Sequence, residues 1–339
     1  MASANADLLM KVSVIVPVRD EEDSIRELLD SLLAQTHPPD EIVITDGGSV
    51  DATPQIIESY KQKGVPVKLI RAGAALPGRG RNLAAAAANF EWLAFTDGGI
   101  RLAKDWLEAL VLKAREDESI DIVYGSVEPV TDTFFTECAA IAYVPPPQPQ
   151  EDVIARPRFI ASSLVRRDAW AKVKGFPENL RSAEDLLFMD RLEKAGYRAV
   201  FEPRALVYWR LRSTLKTTFK RFLVYSLNNI RAGLFNQWQM RILSRYAALL
   251  LILVAVLILY PSWFWVPFAL WVLMLVARSI VSIWRNRKCY PGSFTRNVRR
   301  SLMVIAIIVV LDAAAIIGWF QWMFLDAFRG ARKTPVEAG

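Results

Sequence analysis

The stretch VSVIVPVRDEEDSIRELLDSLLAQTHPPDEIVITDGGSVDAT, residues 12–53, sets the reading of the fold. Its first seven residues are mainly apolar, rich in Val and broken by Pro17, which suits a short strand better than a secretory signal. Ile25, Leu28, Leu29, Leu32 and Leu33 then recur at helical spacing and predict a helix over 22–34. Strand character returns over 41–45. Outward from there, strands are predicted over 67–71 and 92–96, with helices over 52–63 and 79–89. Strand alternating with helix at these lengths predicts an α/β domain on a mainly parallel, Rossmann-like sheet covered on both faces. Ligands of such sheets bind beyond the carboxyl ends of the strands.

The polar residues fall at those ends. PVRDEED (17–23) follows the first strand, TDGGSVDAT (45–53) the second, AGAALPGRGRN (72–82) the third and TDGGI (96–100) the fourth. Each loop alone has an ordinary explanation, since Gly and Asp form turns and Ser49 or Asp51 can cap a helix. Four in succession on one sheet edge predict a binding site. In GRGRN, Gly78 and Gly80 allow close backbone approach, and Arg79 and Arg81 at a helix N-terminus suit phosphate. A solvated first turn is the plain alternative. Asp97 is the single acid of TDGGI and is followed by Gly98 and Gly99. Glu184 and Asp185 open a predicted helix that stops near Gly196, where acids interact well with the helix dipole. The one histidine, His37, lies in a turn before two prolines and reads as structural.

The 339-residue chain is 53% hydrophobic, and its apolar residues gather after Tyr246. Runs over 243–260, 262–284 and 301–325 suit a bilayer core of about 30 Å, which takes roughly 20 helical residues. A buried soluble bundle is the alternative. The third run carries one charge, Asp312. The net charge of +7 is localised: nine Arg or Lys and no acid lie between 204 and 245, and six more basic residues between 285 and 300. Basic residues beside spans mark the cytoplasmic side and attract anionic lipid. Membrane lipids, not nucleic acid, are therefore the expected partners of this charge. Three spans would carry the basic tail at 329–333 across the membrane, against that rule, so two spans with a re-entrant third run is the alternative. Cys138 and Cys289 show no metal spacing and read as free thiols in a reducing compartment.

The loops, in this order, together with GFPENLRSAEDLLFMDRLEKAGYRAVFEP (175–203), resemble the family 2 glycosyltransferases over about residues 11–208. The resemblance implies a GT-A fold and transfer of a sugar, with inversion, from a nucleotide-diphosphate-sugar donor that is UDP- or GDP-linked. It implies that Pro17, Val18, Arg19 and Glu21 hold the nucleobase and ribose, that Asp46 recognises the base, and that Arg79 and Arg81 approach the diphosphate. Asp97 holds the first position of the family's Asp-any-Asp metal motif, so Mg2+ or Mn2+ is the implied cofactor. Gly99 stands where the second acid is usual, and Gly47 replaces a second acid beside Asp46. Glu184 is implied at the donor and Asp185 as the catalytic base. Trp209 and Arg210 are implied substrate contacts.

Residues 1–210 then form the transferase domain, 211–245 amphipathic interfacial helices, 246–328 the transmembrane region and 329–339 a tail. Leu215, Phe219, Phe222 and Leu223, with Lys216, Lys220 and Arg221 between them, suit a helix in the headgroup layer. The proline-rich residues 144–157 are expected to lack regular structure. A site beside such a helix implies a lipid or polyprenyl-phosphate-type acceptor. The expected setting is the cell inner membrane of a bacterial-type, multi-pass protein, with the catalytic domain cytoplasmic. The rival readings are a degenerate transferase-like membrane scaffold without catalysis, motivated by Gly47 and Gly99, and a membrane nucleotidyltransferase.

Overall fold

In the computed structural model, which describes residues 10–150 and 153–327, the opening run becomes β1 (Val12–Val18). The order continues α1 (Ile25–Leu33), β2 (Glu41–Asp46), α2 (Thr53–Lys61), β3 (Val67–Arg71), α3 (Pro77–Ala87) and β4 (Trp92–Phe95). Next come β5 (Ile100–Leu102), α4 (Trp106–Ala114), β6 (Ile122–Val130) and α5 (Phe134–Tyr143). They are followed by β7 (Gln148–Gln150), β8 (Val153–Ala155), β9 (Ser163–Arg166), α6 (Arg167–Lys172), α7 (Glu184–Lys194) and β10 (Ala199–Arg210). The first helix starts three residues later than its pattern predicts. The Glu21 carbonyl already accepts from Ser24 N and Ile25 N, which makes residues 21–24 a turn.

Eight strands form one sheet in the order β3-β2-β1-β4-β9-β6-β10-β5. β1 pairs in parallel with β2 and β4, and β2 with β3. β9 runs antiparallel between β4 and β6, so the parallel half that carries the four polar loops is joined to a mixed half. Burial explains the strand composition: Val12, Val14, Ile15, Val16, Ile42, Val43 and Ile44 are all fully buried, as strands covered on both faces require. The proline-rich segment departs from expectation. Gln148–Gln150 and Val153–Ala155 pair antiparallel as a two-stranded ribbon. Pro149 is tolerated there because each strand of an isolated ribbon is an edge.

The chain divides into two compact units, Met1–Val130 with Pro147–Arg210, and Thr131–Pro146 with Leu211–Gly339. The second unit holds α5 together with α8 (Leu215–Arg231), α9 (Phe235–Trp238), α10 (Met240–Leu259), α11 (Val266–Arg285) and α12 (Phe294–Trp322). The tail over 329–339 lies outside the described residues. Among the described residues, three stretches are long and apolar enough to cross a membrane: Met240–Leu259, Pro261–Arg285 and Phe294–Asp326. A soluble bundle would bury such helices, yet no residue of α10 is buried, and an apolar surface of that extent belongs in contact with lipid or a partner. α8 lies against α12, where Ser226 Oγ donates to the Ala315 carbonyl at 3.1 Å. A Cβ at Gly318 would come within 2.5 Å of that hydroxyl, so the glycine permits the close crossing. Both cysteines are free; Cys138 is buried, and burial pushes its thiol up to about 11.

Asp312, the lone acid of the third apolar run, is 1% exposed and held by Arg278, whose Nη2 donates to Oδ1 at 3.0 Å, with Tyr246 Oη donating to Oδ2 at 2.9 Å. Breaking a buried pair strands a charge, whereas replacing both partners by apolar residues costs little. Arg278→Met is therefore expected to destabilise the detergent-solubilised protein by about 3–5 kcal/mol, and Arg278→Met/Asp312→Leu by much less. Equal melting temperatures for single and double variants would refute the coupling.

Candidate active site

Four loops at the carboxyl edge of the first unit build the site, and hydrogen bonds between loops set their shapes. Asp20, after β1, sits in the left-handed region at φ 55°, which Asp tolerates because its side chain bonds locally. Its N–H donates to Ser49 Oγ at 2.9 Å, and its Oδ1 accepts from Val50 N at 2.9 Å. Glu21 N donates to Thr53 Oγ1 at 2.8 Å. The loops after β1 and β2 are thereby stitched together. Arg19 is exposed, Pro17 half-buried and Val18 buried.

Asp46, 5% exposed, closes β2 and accepts from Ser49 N at 3.0 Å and Ser49 Oγ at 2.6 Å through Oδ1. The missing acid beside it has a steric cause. A Cβ at Gly47 would stand 2.6 Å from the Ala75 carbonyl oxygen, so no side chain fits there.

Arg81 is the hub. It is 4% exposed, and its Nη1 donates to Glu184 Oε1 at 2.7 Å while its Nη2 donates to Asp97 Oδ1 at 2.6 Å. Its guanidinium also lies 5.3 Å over the Phe176 ring. Burial alone would lower its pKa, but Asp97 and Glu184 more than offset this and hold the charge firmly in place. Arg81, expected to reach for a diphosphate, is thus committed to joining two carboxylates of its own chain; Arg79, at the exposed start of α3, is the arginine left facing outward. The glycines behave likewise. A Cβ at Gly78 would stand 2.0 Å from the Pro177 carbonyl oxygen and one at Gly80 3.1 Å from Pro17 Cβ, so the close approach they allow is to protein.

Glu184 and Asp185 start α7 behind Ala183, whose φ of 70° is left-handed and disfavoured for a residue with a Cβ. Asp185 is half-buried, and its pKa is pushed up to about 6, first by burial and then by the neighbouring Glu184 carboxylate, with Arg81 opposing. An acid titrating there is ionised at neutral pH yet basic enough to accept a proton. Three buried polar atoms, Arg81 Nε, Ser182 Oγ and Glu184 Oε2, have no hydrogen-bond partner among the described residues. Such atoms are costly unless something else satisfies them.

Gly99 differs from Gly47, since a Cβ there would meet nothing closer than ordinary van der Waals contact. Glu21 Oε2 lies 3.6 Å from where a Cβ at Gly99 would be, and Glu21 Cγ 3.0 Å from one at Gly98. The carboxylate missing from the loop after β4 is therefore matched in space by one from the loop after β1. Two like charges about 4 Å apart repel by roughly 1–4 kcal/mol between bulk water and the effective dielectric of a protein surface. Gly99→Asp is expected to lower the melting temperature by several degrees, and Gly99→Asp/Glu21→Gln to recover most of the loss. Strictly additive effects would show that the two side chains do not meet.

The acids suit a divalent cation. Asp97 is 34% exposed with one oxygen held by Arg81. Asp97, Glu184 and Asp185 together face a single arginine, leaving the cluster short of positive charge. Among the described residues no group of three or more His, Cys, Asp or Glu forms a complete cage. Mg2+ and similar hard ions need one or two carboxylates and take their other ligands from phosphates and water.

Trp209 and Arg210 end β10, where Trp209 pairs with Ile100 directly after the Asp97 loop. Trp209 packs against Phe159, and Arg210 pairs with Glu27 on α1. Asn82 escaped the sequence reading. Its Oδ1 accepts from Phe176 N at 2.9 Å and Trp170 Nε1 at 3.2 Å, and its Nδ2 donates to the Phe176 carbonyl at 2.8 Å and Glu178 Oε1 at 2.9 Å. It thereby fixes the segment that leads into Glu184. Its signal was present: an Asn inside a helix has low propensity and needs a reason.

Residues 13–154 match the family model for glycosyl transferase family 2, and residues 157–320 that for glycosyl transferase family group 2. The chain belongs to the family 2 glycosyltransferases. Poly(ribitol-phosphate) beta-N-acetylglucosaminyltransferase TarS of Staphylococcus aureus (strain Mu50 / ATCC 700699) is 31% identical over 214 residues, 59% of this chain and 35% of the relative. Putative glycosyltransferase EpsH of Bacillus subtilis (strain 168) is 30% identical over 215 residues, 63% of this chain and 61% of its own. This family 2 chain thus spans about a third of TarS and three-fifths of EpsH. Among solved structures, S. aureus TarS 1-349 in complex with UDP is similar with a TM-score of 0.50 and 25% identity over 65% of each chain. Mannosyltransferase PcManGT from Pyrobaculum calidifontis, in complex with GDP-Man and Mn2+, has a TM-score of 0.51 over 92% of this chain and 86% of its own; at 20% identity it speaks for the fold alone. The mixed sheet and its covering helices are the GT-A fold.

Proposed function

We propose that the chain is a membrane-anchored inverting glycosyltransferase that moves a sugar from a nucleoside-diphosphate sugar to a lipid-linked or membrane-proximal acceptor. One observation carries the reading: Arg81 draws Asp97 and Glu184 to one point, with Asp185 beside them tuned near 6. Asp185 takes the proton of the acceptor hydroxyl as the acceptor oxygen bonds to the anomeric carbon. The bond from that carbon to the diphosphate breaks on the opposite face, and its electron pair leaves with the nucleoside diphosphate. The loops carrying Pro17, Val18, Arg19, Glu21 and Asp46 hold the nucleoside, and exposed Arg79 meets the diphosphate. Mg2+ or Mn2+, held by Asp97 with Glu21 nearby, would supply Lewis-acid neutralisation of the leaving charge. Trp209 and Arg210 border the acceptor side. Apolar helices flanked by basic residues support anchoring in a cell inner membrane with this unit on the cytoplasmic face.

The scaffold reading rested on two lost acids. The Ala75 carbonyl leaves no room for a side chain at Gly47, and the Glu21 carboxylate lies within 4 Å of where a Cβ at Gly99 would stand, which supports the catalytic reading over the scaffold. The test is calorimetric binding of UDP, GDP and their sugar conjugates to the detergent-purified chain, with and without Mn2+, followed by assay of nucleoside diphosphate release. UDP, the nucleotide bound in the TarS structure, is expected to bind with metal dependence that Asp97→Ala abolishes. Absence of both binding and release, with metal and lipid supplied, would leave the scaffold.

A further inference from the structure

The second unit carries an ion cluster with more cations than its acid can balance. Glu137 on α5 accepts from Arg296 Nη2 and Arg300 Nε, each at 2.5 Å. Arg300 is 1% exposed and spends its other N–H groups on the Tyr290 carbonyl at 2.9 Å, Asn297 Oδ1 at 2.8 Å and the Pro291 carbonyl at 3.3 Å. Arg296 stays half-exposed. Arg299 pairs with no acid among the described residues; its guanidinium lies 5.5 Å over the Phe134 ring. Arg296 and Arg300 thus share one carboxylate, and residues 285–311 contain no acid to balance Arg299.

Between Arg296 and Arg299 opens a recess of about 300 Å3, lined also by Phe134, Ser293 and Thr295. It has two guanidinium groups, two hydroxyls and one aromatic wall. That combination suits a phosphate oxyanion carried on an apolar body. Its depth is telling. The apolar run of α12 resumes at Leu302, and at 1.5 Å per residue Arg299 and Arg296 stand about 5 and 9 Å before it. The headgroup layer beside a bilayer core is roughly 5–8 Å thick, so the recess falls where lipid phosphates lie.

We propose that this recess binds the phosphate ester of an anionic lipid headgroup, with Arg296 and Arg299 as charge partners, the Ser293 and Thr295 hydroxyls as donors and Phe134 beneath the glycerol or chain. The site rests on α12 spanning a membrane, not on the transferase chemistry, and the two fail separately. It anchors α5 and α12, which share Glu137 and Arg300, to one leaflet.

The experiment uses the full chain in vesicles of phosphatidylcholine doped with phosphatidylglycerol, and counts phosphatidylglycerol retained after detergent release by native mass spectrometry. Each Arg near a membrane surface contributes enough attraction for about a fivefold change in affinity. Arg299→Gln is therefore expected to retain phosphatidylglycerol about fivefold more weakly, whereas Lys61→Gln on α2, exposed in the first unit, leaves retention unchanged. Arg299 is the deciding position because Arg296→Gln also loosens Glu137. Inorganic phosphate is not expected to displace the lipid. If inorganic phosphate binds the lipid-free protein in an Arg299-dependent way and displaces the lipid, the phosphate chemistry stands with a soluble source. Equal retention by wild type and a normally melting Arg299→Gln overturns the site.

Discussion

Asp185→Asn is expected to lower the turnover of sugar transfer by at least about 100-fold, to leave donor affinity nearly unchanged, and to raise the melting temperature at neutral pH. The first effect follows from loss of the base, since Asn cannot accept the acceptor's proton. The third follows from linkage. The folded-state pKa of Asp185 is raised from 3.8 to about 6. Its contribution to stability is therefore fully present below the unfolded value and is lost as pH rises through about 6. Above that pH the wild type carries an ionised, half-buried carboxylate next to Glu184, which Asn removes, for a gain of about 1–3 kcal/mol. Below pH 4 the two proteins should melt alike. The wild-type kcat/KM should fall on the acid side near pH 6, as the base becomes protonated. A variant that turns over normally, or one that is inactive but no more stable at pH 8 than at pH 4 relative to wild type, would remove Asp185 from its role.

Arg81→Met is expected to be the most damaging single change in the first unit. It leaves Glu184, 4% exposed, and Asp97 facing Asp185 with no cation between them. Stranding a buried carboxylate costs about 3–5 kcal/mol, read as a lowered denaturation midpoint. Arg81→Lys should recover only part, because one ammonium cannot reproduce a fork that donates to two carboxylates in different directions. Arg81→Met/Glu184→Gln should recover more, since it removes the charge left behind. Arg81 also holds the Asp185 pKa down. A surviving Arg81→Lys protein should therefore show its acid limb displaced to higher pH if the ammonium screens Asp185 less well. An Arg81→Met protein that melts like wild type would show that the pairs contribute nothing.

Much of this was legible in residue order because it is governed by period and punctuation. Alternating apolar runs placed β1 to β4 and their helices within a few residues, and strand ends placed Glu21, Asp46 and Asp97 on one edge. The Glu184–Asp185 pair was legible as a helix start. The partner of Arg81 was not. A guanidinium in a helix's first turn looks the same in sequence whether it faces a phosphate or is buried against Glu184, 103 positions away. The contacts of Asn82 with Phe176 were equally silent, since they form only when α3 meets the segment before α7.

The order of apolar, turn-forming and charged residues alone set the α/β half, the membrane-length helices and the acids that reach one sheet edge, because short-range backbone preference and hydrophobic period act on neighbours in the chain. Three-dimensional packing decided the rest: that Arg81 is an internal clamp, that the Ala75 carbonyl excludes a side chain at Gly47, that the Glu21 carboxylate lies within 4 Å of where a Cβ at Gly99 would be, and that Asp185 titrates near 6. Those properties depend on burial and on distances of a few ångströms between distant residues. Coulomb and steric energies vary steeply over that range, whereas position along the chain carries no such information.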